Sequence, residues 1–317
     1  MKLLPVIAAC ALLATACVSD GIAQSATAPE PAANLAETPA HGVVLKTTAL
    51  PAIKQGYVNT PEGQIHYWEA GQGPALILLH QAGSSSEENA GLVEYMADQY
   101  RLVSFDWPGH GMSDDPTQEL LIDDYTQSAI HVLDHLNIET AHIFGNHGGA
   151  LLAMNIAWKH PERVDRIILS GTSGVKDMEA VQEFSDNLGL DEMNRIDREG
   201  VSLSEAWGRF TNYMPNSEPG EVLLAYMNNV TVRVRPYDAH YGVLKFDRRP
   251  ALKAIKDKKI LLMQAENDPF VSDQEMLLDI LPNAERTVIE NSGVFMLFEA
   301  PEETAEAILR FLAKPSP

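Results

Sequence analysis

Five residues, Gly145-Asn146-His147-Gly148-Gly149, constrain this chain more than any other stretch. They follow a short apolar run at residues 140–144. They precede Ala150-Leu151-Leu152-Ala153-Met154-Asn155-Ile156-Ala157, which reads as a helix. Three glycines between a strand and a helix supply the backbone freedom that a tight strand–turn–helix connection needs. The chain around this turn repeats the same order. Apolar runs at 75–80, 101–105, 166–171, 259–263 and 286–290 read as strands, and 87–99, 123–136, 273–281 and 303–312 read as helices. Ahead of them, 56–58 and 64–69 flank Thr60-Pro61-Glu62-Gly63 as a hairpin. Continuous apolar strands alternating with helices predict an α/β fold: a mostly parallel central sheet, helices on both faces, and site-bearing loops at the strand C-termini. Between about Thr172 and Arg249 the alternation stops. That stretch is helical in pattern and reads as an inserted lid.

The first 50 residues differ in kind. Lys2 followed by the apolar residues 3–16 reads as an export signal, too short to span a membrane, which takes about 20 apolar residues. Leu13-Ala14-Thr15-Ala16-Cys17 resembles a bacterial lipobox with Cys17 as the lipidated residue, while small-residue sites near Ala26 and Ala28 suit ordinary signal cleavage. Residues 17–50, rich in Ala, Pro, Thr and Glu, read as a flexible tether to one domain at 51–317. The expectation is an exported protein, periplasmic or an outer-membrane lipoprotein of a Gram-negative bacterium. Both cysteines, Cys10 and Cys17, lie in the leader, so no disulfide is expected in the domain. A formal net charge of −21 argues against nucleic acid and anionic membrane surfaces as partners, which leaves a small-molecule substrate and a membrane tether through Cys17.

Several motifs together resemble the α/β-hydrolase superfamily over about residues 57–312. Leu78-Leu79-His80-Gln81-Ala82-Gly83 is similar to the H-G-x-x loop that supplies an oxyanion-hole amide, with Gln81 in place of the usual glycine. Asp106-Trp107-Pro108-Gly109-His110-Gly111-Met112-Ser113 is similar to D-x-P-G-x-G-x-S. Gly145 to Gly149 takes the place of the G-x-S-x-G nucleophile elbow. Residues 265–271 resemble the loop of the triad acid, at Asp268, and residues 290–301 the closing G-H-x-x-x-x-E-x-P segment, with Glu299 as its structural carboxylate. Two positions depart from the pattern. The nucleophile position holds His147, and the base position after Gly293 holds Val294. No histidine follows His240. A Ser-His-Asp mechanism cannot run in this chain.

Taken together, the two changes suggest a contracted site. A longer side chain on the elbow, with the usual histidine reduced to valine, predicts a His147–Asp268 pair, direct or bridged by water. The carboxylate would fix the imidazole's tautomer for general-base work. The Gly148 amide and an amide of the Gln81-Ala82 loop would form the oxyanion hole. Three roles for His147 follow: activating water, attacking the substrate itself, or moving protons in a lyase or isomerase reaction. A non-catalytic binding pocket is the fourth reading. The expected function is cofactor-independent hydrolysis of a small, apolar or aromatic ester, lactone or related carbonyl compound, with no metal. Among the other candidates, His80 and His110 read as structural. His131 and His135 have metal-ligand spacing but no third ligand. Ser170 and Ser173 lack elbow context, and Glu266 reads as an auxiliary acid at best. In the lid, Trp207, Phe210, Tyr213, Tyr226, Tyr237 and Tyr241 offer an aromatic surface, and Arg233 and Arg235 a carboxylate anchor.

Overall fold

The apolar runs pair into one eight-stranded sheet in the order β1-β2-β4-β3-β5-β6-β7-β8. β1 (Lys54–Thr60) and β2 (Gly63–Ala70) form the antiparallel hairpin, with Thr60 opposite Gly63, and β2 also runs antiparallel to β4 (Arg101–Phe105). From there the sheet is parallel through β3 (Ala75–Leu79), β5 (Ala141–Asn146), β6 (Val164–Ser170), β7 (Lys259–Ala265) and β8 (Glu285–Ile289). The computed structural model describes residues 52–174 and 196–314. The signal segment, Cys17 and the tether lie outside the described residues, as do residues 175–195 of the expected lid.

The period-two alternation of each strand divides its side chains between two cores. Ile77, Leu79, Val103, Ile143 and Leu169 face one of them, and Leu76, Leu78, Leu102, Phe144 and Ile168 the other. Ten helices, α1 (Val93–Met96), α2 (Ile122–His135), α3 (Gly148–Lys159), α4 (Val201–Tyr213), α5 (Pro219–Val232), α6 (Ala239–Leu244), α7 (Arg249–Ile255), α8 (Gln274–Ile280), α9 (Met296–Glu299) and α10 (Pro301–Leu312), accompany the sheet among the described residues. Residues of α2, α3, α6, α7 and α8 complete the first core, and residues of α1, α9 and α10 the second. α4 and α5 form a third, smaller cluster of Phe210, Met214, Val222 and Ala225, against which Phe295 and Phe298 pack. α4 to α6 all fall within the stretch where the strand–helix alternation stops.

One expected helix differs. Residues 87–99 form a tight 3-10 segment (Ser86–Leu92) and then the single turn α1. The Trp68 indole N–H donates to the Ser86 carbonyl at 3.2 Å, occupying an acceptor that an α-helix would need. Glu88 and Asn89 are also drawn inward, Glu88 to the Gln81 N–H and Asn89 to Ser104 Oγ.

The feature that positions the site is the contact between α3 and the sheet. A Cβ at Gly149 would lie 2.2 Å from the Leu79 carbonyl oxygen, and one at Gly145 would lie 2.1 Å from the Gly149 carbonyl oxygen. Both neighbours are backbone and cannot yield. Gly149→Ala is therefore expected to destabilise the fold by roughly 3 kcal/mol or more, as overpacking against rigid backbone does. Gly208→Ala, on α4 with nothing within 4 Å of the added methyl, should be neutral or stabilising by up to about 1 kcal/mol. Urea denaturation midpoints of the two variants check the contrast.

Candidate active site

His147 caps α3 in a backbone conformation that residues with a side chain avoid, with φ +47° and ψ −108°. Strain of this kind persists only where neighbours enforce it. The His147 N–H donates to the Ser170 carbonyl at 2.8 Å, and its own carbonyl accepts from the Ala150 N–H at 3.0 Å. Asn146, one residue earlier, accepts from Ser170 Oγ at 3.1 Å. The strand ends of β5 and β6 thus clamp the turn on both sides.

The imidazole then reaches Asp268. His147 Nε2 lies 2.7 Å from Asp268 Oδ2, and the carboxylate side chain is only 2% exposed. Asp268 follows β7, and its Oδ1 accepts the Phe270 N–H at 2.7 Å, so both carboxylate oxygens are committed. With the carboxylate on Nε2, the neutral imidazole carries its proton there and keeps a lone pair on Nδ1. Gly171, which follows β6 with φ +61°, is what admits the ring, because a Cβ there would lie 2.4 Å from His147 Cδ2. Phe270 flanks the other side, with ring centroids 5.8 Å apart. Val294 lines the same cavity of about 260 Å3 as His147, so the two departures from the usual triad face one space. Gly293, before Val294, donates its N–H to Glu299 Oε2 at 2.7 Å, which ties that loop down. Burial pushes the Glu299 carboxyl upward, and the Gly293 hydrogen bond partly offsets it.

Of the expected oxyanion loop, Gln81 requires correction. Its N–H donates to Glu88 Oε1 at 2.9 Å and is not available to an oxyanion, although the residue lines the cavity. The cause is the inward turn of Glu88, which an amphipathic-helix reading placed no constraint on. Ala82 and Gly148 are the remaining pair. The Ala82 nitrogen lies 2.9 Å from the position a Gly148 Cβ would occupy, and the Ala82 N–H has no partner among the described residues. Gly148, as the first residue of α3, has no acceptor within the helix.

Several other residues are placed plainly. His80 donates from Nδ1 to the Gln81 carbonyl at 2.8 Å and accepts the Trp107 N–H on Nε2 at 3.1 Å. Burial lowers its pKa to about 4 and that of His110 to about 3, so both are neutral scaffold at physiological pH. The ring of His135 stands against Tyr67, and among the described residues no group of three His, Cys, Asp or Glu side chains could hold a metal. Glu266 is exposed and accepts the Asn291 N–H. Arg233 pairs with Asn229 and Arg235 with Asp115, and neither lines the cavity. The six aromatics expected to line it do not either. Trp207, Phe210 and Tyr226 pack on one another, with Phe295 on Phe210.

Three cavity residues escaped sequence reasoning. Arg248 is buried, donates to the carbonyl and hydroxyl of Ser173, and lines the cavity; in sequence it is lost in the charged run Asp247-Arg248-Arg249. Burial pulls its pKa down while Asp273 and Asp247 act against that pull. His240, on α6, carries no motif. Gly171 had a legible signal, a glycine ending an apolar strand beside the turn.

Residues 74–301 match the family model for the alpha/beta hydrolase fold. This chain belongs to that family. It is 31% identical over 107 residues to the (E)-2-((N-methylformamido)methylene)succinate hydrolase of Acinetobacter baylyi, which covers 33% of this chain and 41% of that one. It is 34% identical over 121 residues to a 2-hydroxy-6-oxo-6-phenylhexa-2,4-dienoate hydrolase of Comamonas testosteroni, covering 35% and 41%. These matches span under half the length of those relatives. Among solved structures, the enol-lactonase of Burkholderia xenovorans superposes with a TM-score of 0.65 at 16% identity, over 82% of this chain and all of that one, a likeness of fold.

Beneath the site, Glu88 is fully enclosed, and burial raises its pKa to about 7 against hydrogen bonds from Ser84, Gln81 and Asn146. Below about pH 4.5 the carboxyl is protonated in both folded and unfolded chains and contributes nothing. As pH rises to about 7, the unfolded chain releases a proton that the folded one keeps. Stability therefore falls across that window, by on the order of 3 kcal/mol once above it. Glu88→Gln should flatten the drop in Tm between pH 5 and 8, as thermal unfolding at the two pH values would measure.

Proposed function

We propose that this protein is a hydrolase of a small carbonyl compound, an ester, lactone or related substrate, in which His147 is the general base and Asp268 its orienter. The observation that carries the reading is the 2.7 Å contact between the elbow imidazole and a buried carboxylate, beside two amides with no partner among the described residues, on one cavity. His147 Nδ1 takes a proton from water as the water oxygen bonds to the substrate carbonyl carbon. Asp268 stabilises the imidazolium that forms. The carbonyl oxygen becomes an oxyanion opposite the Ala82 and Gly148 N–H groups, a contribution of roughly 2.7–4 kcal/mol per donor. No covalent intermediate is required.

Arg248 supports a carboxylate on the substrate. It is a buried cation at the cavity wall whose Nη1 alone is committed among the described residues, to Ser173, and a guanidinium there suits bidentate capture of a carboxylate. The Acinetobacter and Comamonas relatives bear names of carboxylate-bearing substrates. The lid reading of α4 to α6 fits the cavity position of His240, Val243 and Leu244. An export signal at residues 1–16 and Cys17 fit a periplasmic or membrane-tethered enzyme.

Across a panel of small esters and lactones, His147→Ala should lower kcat/KM by about 10³-fold or more and Asp268→Asn by about 10²-fold or more. Equal activity in wild type and His147→Ala would sink the reading, and binding without turnover in both would favour a non-catalytic pocket. Arg248→Met should raise KM roughly tenfold for a carboxylate-bearing substrate and leave a neutral ester of similar size nearly unchanged. Steady-state kinetics on the matched pair separates the two effects.

A further inference from the structure

We propose that His240 and Asp238 form a second imidazole–carboxylate pair on the same cavity, which gives a proton to the departing group; this rests on the hydrolase reading above. Asp238 sits at the N-cap of α6, and its Oδ1 accepts the His240 backbone N–H at 2.9 Å and lies 2.6 Å from the ring Nδ1. One carboxylate oxygen thus fixes both the backbone and the ring. Nε2 is left without a partner among the described residues, on a side chain that lines the cavity. The ring lies over the oxyanion loop, with Cε1 3.0 Å from where a Gly83 Cβ would stand. Asn229, from α5, donates to the Gly83 carbonyl at 3.2 Å and ties the helix that precedes α6 to that loop.

The two pairs are complementary in orientation. Asp268 holds His147 by Nε2 and leaves Nδ1, whereas Asp238 holds His240 by Nδ1 and leaves Nε2. His147 is confined between Gly171 and Phe270 and gripped by Asp268, so it cannot swing from the attacking water to the leaving atom. A second donor removes that need. The charged and titratable groups around His240 are Asp238 on its own segment and Arg248 and His147 on the cavity, with His110 and Tyr125 in electrostatic range of Asp238.

The step balances. Water gives one proton to His147 Nδ1 as its oxygen bonds to the carbonyl carbon. The oxyanion then collapses, the bond from carbon to the leaving oxygen breaks with its electron pair, and that oxygen takes the Nε2 proton of the His240 imidazolium. The acid and the alcohol depart, and solvent carries the proton from His147 back to His240. Nothing is oxidised or reduced.

The test uses the full-length protein and two esters of phenylacetic acid. Nitrophenolate leaves without a proton, and ethoxide does not. His240→Asn should lower kcat/KM for ethyl phenylacetate about 100-fold and change the p-nitrophenyl ester by less than about threefold. Equal losses on the two esters, or no loss on the ethyl ester, overturn the proposal. His147→Ala run in parallel keeps the two readings apart: if it retains activity on both esters, the base assignment fails while the leaving-group contrast at His240 still stands or falls by itself. For a wild type inactive on both esters, calorimetry with the monoethyl ester of benzylphosphonic acid, an anion shaped like the tetrahedral intermediate, supplies the readout. Affinity weakened at least about tenfold in His240→Asn supports a cationic donor at that place, by the loss of a charge-assisted hydrogen bond. Unchanged affinity, or no binding by the wild type, overturns it.

Discussion

The approach of α3 to the sheet is the contact on which the rest depends. Gly149 leaves the backbone of the helix close against the carbonyl of Leu79, and Gly145 leaves room for the returning turn. That proximity forces the intervening residue into φ +47°, and its hydrogen bonds to the Ser170 carbonyl and from the Ala150 N–H keep it there. A side chain so held has few rotamers and no alternative direction, which is how a turn converts packing into aim. Whichever residue occupies the position is presented to the cavity. In this chain it is an imidazole.

The site's electrostatics follow from what surrounds that turn. A buried carboxylate at Asp268 is tolerable because the Phe270 N–H and the His147 ring both satisfy it. Glu88 meets the opposite solution. Fully enclosed, with only hydrogen bonds from polar neighbours, it holds its proton to near neutrality. The same carboxyl takes the Gln81 N–H and so narrows the amides open to an oxyanion to Ala82 and Gly148. His80 and His110, packed with Trp107 below the loop, stay neutral because the cost of burying a charge outweighs the pull of Asp106 on both and of Asp238 on His110. His147, His240 and Arg248 are the basic side chains that line the cavity, and each imidazole is backed by a carboxylate.

Much of this was legible in the one-dimensional chain. Period-two and continuous apolar runs placed all eight strands, and the glycine spacing placed the turn, because both follow from local backbone geometry. His147, Val294 and Asp268 could be singled out because they stand inside motifs with fixed spacing. Residues 87–99 read as one helix but form a 3-10 segment and a single turn, since their apolar spacing carries no trace of the Trp68 indole that donates to the Ser86 carbonyl. The aromatics of α4 and α5 had the right composition for a binding wall, but they satisfy one another and Phe295 instead.

What the sequence alone determined is the set of local choices: the strands, the helices, the strained turn and the residues it carries. Contacts between residues 121 apart, as in His147 with Asp268, could be anticipated only through motifs whose spatial relation is shared by a fold. Where no motif exists, tertiary structure decided. It brought Arg248 to the cavity out of an ordinary charged run, laid His240 over the oxyanion loop, and turned Glu88 inward to claim the Gln81 amide. The physical reason is common to all three. A side chain's chemistry is set by what shares its solvent-excluded space, and that space is made by segments far apart in the chain.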